Sequence, residues 1–334
     1  MPEASSRRSQ RRRLVAITAA VACASAVGGV AAWLLLGSDG HAGTCDDLLG
    51  DKHLHTALGS GYRPGMSCSE LGSAVEKAVV GAKPHRHSLQ QAQTMKLVLV
   101  AVDESLSKNG RRVDAALRTP LAESLADYAP DTASVLGIGD ADYAVRGLPA
   151  KPAWEDADGV HMAVTRSTLL RVLRGISEDP AAYATVRAAS TRYAAEQLAA
   201  VPRGVTGYDL TVPPAQNSRV FGSLDAVATG VRHDLGDSQA EQWQRVVFTK
   251  ATKQASTPPS YEKDPVGHLV DMWGSTLRAG GLKNSPDVLE QQSADMVDAW
   301  SRALKLTATV QNSLHENALN DSFHARSDAL RELS

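Results

Sequence analysis

The hydrophobic pattern divides the chain at residue 37. From Leu14 to that point there is no charged side chain over 24 residues. As a helix such a segment rises roughly 36 Å, against a hydrocarbon core of about 30 Å, so it is long enough for one tilted crossing. Trp33 near its outer end, followed by Leu34, Leu35 and Leu36, suits an interfacial aromatic belt. Arg7, Arg8, Arg11, Arg12 and Arg13 stand immediately before the segment. Positive flanks stay cytoplasmic, so the expected topology is a basic tail over residues 1–13 inside, a transmembrane helix over 14–37, and everything later outside the plasma membrane.

An Arg-rich start followed by apolar residues also describes a secretory signal. Ala22-Cys23-Ala24 and Ala24-Ser25-Ala26 resemble cleavage sites, and Ala20-Val21-Ala22-Cys23 loosely resembles a lipobox. Against cleavage stands VAAWLLL at residues 30–36, which would be left as a greasy new terminus. The uncleaved anchor is therefore preferred. Ala16, Ala20, Ala24, Gly28 and Ala32 make a small-residue stripe of the kind that lets two membrane helices meet, which admits a homodimer through this segment.

Beyond the anchor, residues 38–67 are rich in Gly, His and Asp and show little periodicity, which predicts an irregular juxtamembrane segment. Helical grammar follows. A short amphipathic helix is expected over residues 69–82, and Ser88-Leu89-Gln90-Gln91 is a capping-box start for one reaching about Ser107. Within it, LVLVAV at residues 97–102 would also suit a buried strand; helix is the preferred reading. Thr119-Pro120, Asp179-Pro180, Asp264-Pro265 and Ser285-Pro286 each put a capping side chain before proline, a residue that tolerates the first helical turn.

Apolar residues then recur with helical spacing, as in Tyr183, Val186, Ala189 and Tyr193, in Val266, Leu269, Val270, Trp273 and Leu277, and in Val220, Phe221, Leu224, Val227, Val231 and Leu235. Gly280-Gly281 is a helix stop, and a last long helix is expected from Pro286, with Leu289, Met296, Ala303 and Val310 seven apart. Residues 130–164 and 202–216 are rich in Pro, Gly and Asp and predict loops, with one short strand in GVHMAVT at 159–165. The expected class is all-α: an anchor followed by an extracytoplasmic multi-helix bundle. It divides into a helical subdomain over 68–150, a main bundle over 151–320 and a polar, frayed tail over 321–334.

Charge narrows the partners. The chain has 35 basic and 37 acidic residues; setting aside the five N-terminal arginines and Glu3 leaves 30 basic and 36 acidic groups. A body with that acidic excess has no surplus to neutralise phosphates, which argues against nucleic acid. Cys45 and Cys68 follow the anchor and are expected to pair in an oxidising compartment. Closing a loop of that length stabilises by roughly 3 kcal/mol.

Candidate chemistry is sparse. His53/His55 and His85/His87, with Asp46, Asp47 or Asp51, have spacings that could hold zinc or copper, but no fixed set of four ligands is legible and solvated loop histidines are the preferred reading. Glu155-Asp156-Ala157-Asp158-Gly159 lacks the ligand alternation of a calcium loop and predicts a turn. Gly137-Ile138-Gly139 is no dinucleotide fingerprint, and no nucleophile elbow frames a serine. No cofactor and no catalytic residue is nominated.

Three stretches carry a resemblance: DYAPD at residues 127–131, STLLRVLRGISEDPAAYATV at 167–186 and TRYAAEQLAAVP at 191–202. Together they resemble a helical region of large secreted or toxin-like actinomycete proteins associated with specialised secretion. The resemblance implies a non-catalytic helical module acting in interaction or delivery at the cell envelope. The membrane anchor and the missing effector domain depart from that pattern. The leading expectation is thus a membrane-anchored, non-enzymatic interaction protein of the bacterial envelope whose partners are the plasma membrane and an envelope or secreted protein. A toxin-associated or membrane-active factor of a secretion or contractile injection apparatus, and an extracytoplasmic cell-wall hydrolase, are the rival readings.

Overall fold

The computed structural model describes residues 44–334 except 84, 111, 138 and 254–256. The anchor residues, the arginine cluster and Cys23 therefore lie outside the described residues. Among the described residues no helix is long and apolar enough to cross a membrane.

Helices begin earlier than the polar composition of residues 38–67 predicts. α1 (Thr44–Gly50) and α2 (Lys52–Leu58) are one-and-a-half to two turns each, followed by a 3-10 turn at Gly59–Gly61. Asp51 caps α2 through the backbone N–H groups of His53 and Leu54. Leu48, Leu54 and Leu58 are buried. Helices this short present only one or two apolar positions apiece, too few for a period to show, and they stand by packing on their neighbours. The expected disulfide forms between Cys45 and Cys68, joining α1 to α3 (Cys68–Val79).

α3 starts with a capping box in which Ser67 and Glu70 exchange hydrogen bonds, and α4 (Leu89–Asn109) starts with the expected box of Ser88 and Gln91. The LVLVAV run is helical. Its Val98, Leu99 and Val102 are fully buried because α4 runs through the middle, with α1–α3 packed on it and α8 (Arg166–Ile176) also against it. A helix enclosed on several sides needs no polar face.

Two of the four cap-proline starts hold. Asp179 caps α9 (Pro180–Ala200) and Asp264 caps α12 (Pro265–Glu290), each with proline at the first position. The other two fail. α5 (Ala115–Asp127) is capped by Asp114, five residues before Thr119, and Pro120 lies inside it against Gly72 of α3. Ser285-Pro286 lies inside α12, which breaks at Gly281 (φ 71, ψ 170) as the glycine stop predicts, then resumes at once. Ser285 Oγ is spent on Leu282 O and Gln244 Nε2 instead of capping.

The segment expected as loop over 130–164 contains α6 (Ala129–Gly137), α7 (Ala141–Arg146) and a two-residue antiparallel hairpin, β1 (Trp154–Glu155) with β2 (Val160–His161), turned at EDADG. The strand expected in 159–165 is that short, and the rest is extended chain with Met162, Ala163 and Val164 buried. The second predicted loop ends at Gly207, where α10 (Tyr208–Asp234) begins and carries Pro213 and Pro214 inside it. α11 (Asp237–Lys253) follows.

The long C-terminal helix expected from Pro286 is three segments. It breaks at Gln291, giving α13 (Gln292–Ala303), and again over residues 304–307, where Lys305 adopts φ 59, before α14 (Ala308–Leu333). The seven-residue apolar spacing therefore crosses helix boundaries: Leu289 and Met296 are buried, whereas Ala303 and Val310 are only half-buried. The tail is not frayed. α14 runs to Leu333 with Ala318, Ser322, Ala325 and Ala329 buried against α10, so its inner stripe is small and partly hydroxylic, which disguises it as polar sequence.

Helices from both sides of residue 150 share one core. α4 packs on α8 and α5 on α9, and Asp103 of α4 takes Arg171 of α8 in a bidentate pair at 2.6 and 2.7 Å.

Candidate functional site

Of the sequence-nominated metal ligands, His55, His85, His87, Asp47 and Asp51 are engaged in local structure. His53 and His55 sit on α2, not on extended backbone; His55 Nε2 donates to Leu49 O at 2.7 Å and its ring stacks on Tyr62. His85 and His87 both turn to Asp127 at the end of α5. His85 Nδ1 meets Asp127 O at 2.7 Å, and His87 Nε2 meets Asp127 Oδ2 at 2.8 Å while its ring stacks on Tyr128. Asp47 accepts from Ser105 and Asp51 caps α2. Among the described residues no three His, Cys, Asp or Glu side chains converge as a metal site.

A concavity lies beside the N-terminal helices that the disulfide joins. It is an open groove of about 630 Å³ between the outer face of α3 and the chain leaving α2. Leu58 and Met66 form its floor, and Arg63, Glu70, Ser73 and Lys77 its polar wall. Gly59 (φ 52) and Gly65 (φ 79) turn the connecting chain through left-handed conformations that favour glycine. The Cys45–Cys68 bond fixes the first residue of α3, two residues before Glu70. Glu70 Oε2 accepts from Ser67 N at 2.8 Å, and Arg63 Nη2 meets Oε1 at 3.0 Å. Those Ser67 hydrogen bonds, with Arg63 beside them, hold the Glu70 carboxyl below the usual range. The groove thus offers hydroxyls, cations and an apolar floor, with its carboxylate already committed to a cap and an ion pair.

Three polar clusters escaped sequence reasoning. Arg187, in the middle of α9, is fully enclosed and donates to Asp225 Oδ1 and Tyr183 OH (both 2.6 Å), to Leu289 O (2.7 Å) and to Gln292 Oε1 (2.9 Å). Burial pushes the Asp225 carboxyl up to about 6 against the pull of Arg187. Lys96 is 1% exposed on α4 and donates to Arg146 O at 2.6 Å and Leu148 O at 2.9 Å. Burial brings its ammonium down to about 8. His161 bridges Asp131 and Asp156, each at 3.0 Å. The available signals were a lone charge inside MKLVLV, a charge on the Tyr183–Ser190 face of α9, and a histidine inside an otherwise apolar extended run. None of these says which distant residue is the partner.

Comparison of the chain with protein-family models, curated proteins and solved structures finds no match in any of the three.

Proposed function

We propose that the protein is a non-enzymatic, extracytoplasmic helical interaction module, held at a bacterial plasma membrane by residues 14–37 and using the groove beside the disulfide as its recognition surface. The observation that carries this reading is the Cys45–Cys68 bond, which belongs to an oxidising compartment and staples one wall of the groove in place. The basic cluster before residue 14 supports the same side of the membrane for everything after it. The groove suits polypeptide recognition: it is open and amphipathic, and its Arg63–Glu70 pair and serine hydroxyls provide orienting contacts around an apolar floor.

Thiol labelling in spheroplasts, combined with intact mass under non-reducing conditions, tests the topology. The expected result is an uncleaved chain, an externally accessible C-terminus and oxidised Cys45 and Cys68. A cytoplasmic C-terminus or a reduced pair would overturn the proposal. The recognition surface is tested by Ser73→Trp, which fills the groove from an exposed position. It should abolish in-cell photocrosslinking to an envelope protein from a probe at Ser69 while leaving the melting temperature unchanged. Crosslinking that persists would rule out the groove.

A further inference from the structure

His161 lies at the junction of the hairpin with α6 and α7. Its Nδ1 faces both Asp131 Oδ1 and the Tyr143 hydroxyl, and its Nε2 faces Asp156 Oδ1, all at 3.0 Å. A neutral imidazole carries one N–H, so one ring nitrogen would point a lone pair at a carboxylate. The Tyr143 hydroxyl gives its proton to Asp131 and so does not serve Nδ1 as a donor, which leaves the imidazolium as the form that donates to both carboxylates.

The two carboxylates differ. Asp131 comes from α6, its side chain 4% exposed, and also accepts from Tyr143 OH of α7 and from Met162 N at 3.2 Å. Asp156 belongs to the hairpin turn, is 47% exposed, and also holds Trp154 Nε1 at 3.0 Å and Asp158 N at 2.9 Å. Around them stand Arg146 of α7, whose guanidinium lies 4.9 Å from the Trp154 ring, Tyr193 of α9, which feels Asp131 and Asp158, and Lys96 of α4 on the carbonyls of Arg146 and Leu148. Glu155 points to the exposed side.

We propose that His161 is a proton-operated latch: protonated, it ties the Asp156 turn of the 154–161 hairpin to buried Asp131 of α6, and deprotonated, it releases the outer, Asp156 end while keeping the Asp131 contact. The asymmetry follows from exposure. Neutral His161 keeps Nδ1–H on buried Asp131, which water cannot reach, whereas Asp156 is rehydrated where it stands. Asp156 is tied to Trp154, so release also frees the indole from its perch between Arg146 and the edge of Tyr143, 4.9 Å from its centroid. That movement changes the surface next to Val145 and Leu148, which are 56% and 50% exposed.

The hydrogen bond that His161 donates to Asp131, with Asp156 assisting and burial opposing, holds the imidazole above its ordinary value of 6.5. A pKa raised on folding means that the latch is fully engaged below the unfolded value near 6.5 and is lost as pH rises through the folded value.

Nuclear magnetic resonance on the full-length chain in detergent micelles tests it, with histidine ring carbons labelled and tryptophans carrying 5-fluoro groups. Signals are assigned through His161→Gln and Trp154→Phe. His161 should titrate with a midpoint above 6.5, and the Trp154 fluorine signal should move with the same midpoint. Asp156→Asn, an exposed change, should lower the His161 midpoint by a few tenths of a unit, roughly twofold to fivefold in proton affinity, and should uncouple Trp154 from it. His161→Gln should make the Trp154 signal independent of pH between 5 and 8. A His161 midpoint at or below 6.5, or a Trp154 signal that stays flat through the His161 titration, would overturn the latch.

Discussion

Lys96 shows how one residue can organise a turn from beneath it. Its stem passes through the apolar layer of α4, and its ammonium reaches the carbonyls of Arg146 and Leu148 at the end of α7. Holding the charge there is unfavourable, which is why burial lowers its pKa to about 8. The unfolded amine titrates near 10.4, so between about 8 and 10.4 the unfolded chain binds more protons and stability rises with pH. Lys96→Met removes the donor from two carbonyls, and the expected loss is about 1–3 kcal/mol. That loss should grow as pH is raised from 7 to 10, since the wild-type amine then sheds its charge penalty. Urea midpoints of both proteins across that range check the prediction, and a difference that shrinks with pH would contradict it. Arg187 teaches the same lesson in the bundle interior. The sequence marks it as a charge on an apolar stripe, but its partners Asp225, Leu289 and Gln292 arrive from three other helices.

At the scale of elements, the most extensive helix pairing among the described residues is α10 on α14. Gly222 makes it possible. A Cβ there would stand 2.9 Å from the carbonyl carbon of Ser322 and closer still to its oxygen, both backbone atoms that cannot swing aside. Gly222→Ala should therefore push the two helices apart and cost about 3 kcal/mol or more, at the upper end for overpacked cores. Gly50→Ala, where a Cβ meets nothing within 4 Å, should stay within about 0.5 kcal/mol. Thermal unfolding of the two variants side by side makes the comparison. Helix starts were legible where a cap was decisive, as at Ser88, Asp179 and Asp264. Thr119-Pro120 and Ser285-Pro286 misled because proline is also tolerated within a helix when packing favours it, and Pro120 packs directly on Gly72.

For the whole molecule, the C-terminal turns are part of the core. Arg326 of α14 bridges Glu290 Oε2 at 2.9 Å and Thr229 Oγ1 at 3.1 Å, while Arg166 of α8 pairs with Glu332. Removing residues 321–334 would strip buried Ser322, Ala325 and Ala329 from α10. The truncated chain is expected to lose cooperative unfolding by circular dichroism and to aggregate on expression. A truncation that melts within a few degrees of the full chain would show the tail to be dispensable. The all-α class, the helix starts at Ser88, Asp179 and Asp264 and the Cys45–Cys68 pairing were determined by the sequence alone, because capping chemistry, helical periodicity and cysteine count act over neighbouring positions or along a simple pattern. The short helices of residues 44–58, the breaks at Gln291 and Lys305, the ordered C-terminal helix, the groove and the His161 and Arg187 clusters were decided by tertiary structure. Each depends on contacts between residues tens to hundreds of positions apart, and a small buried side chain such as Ala325 or a buried charge such as Lys96 takes its meaning only from what folds against it.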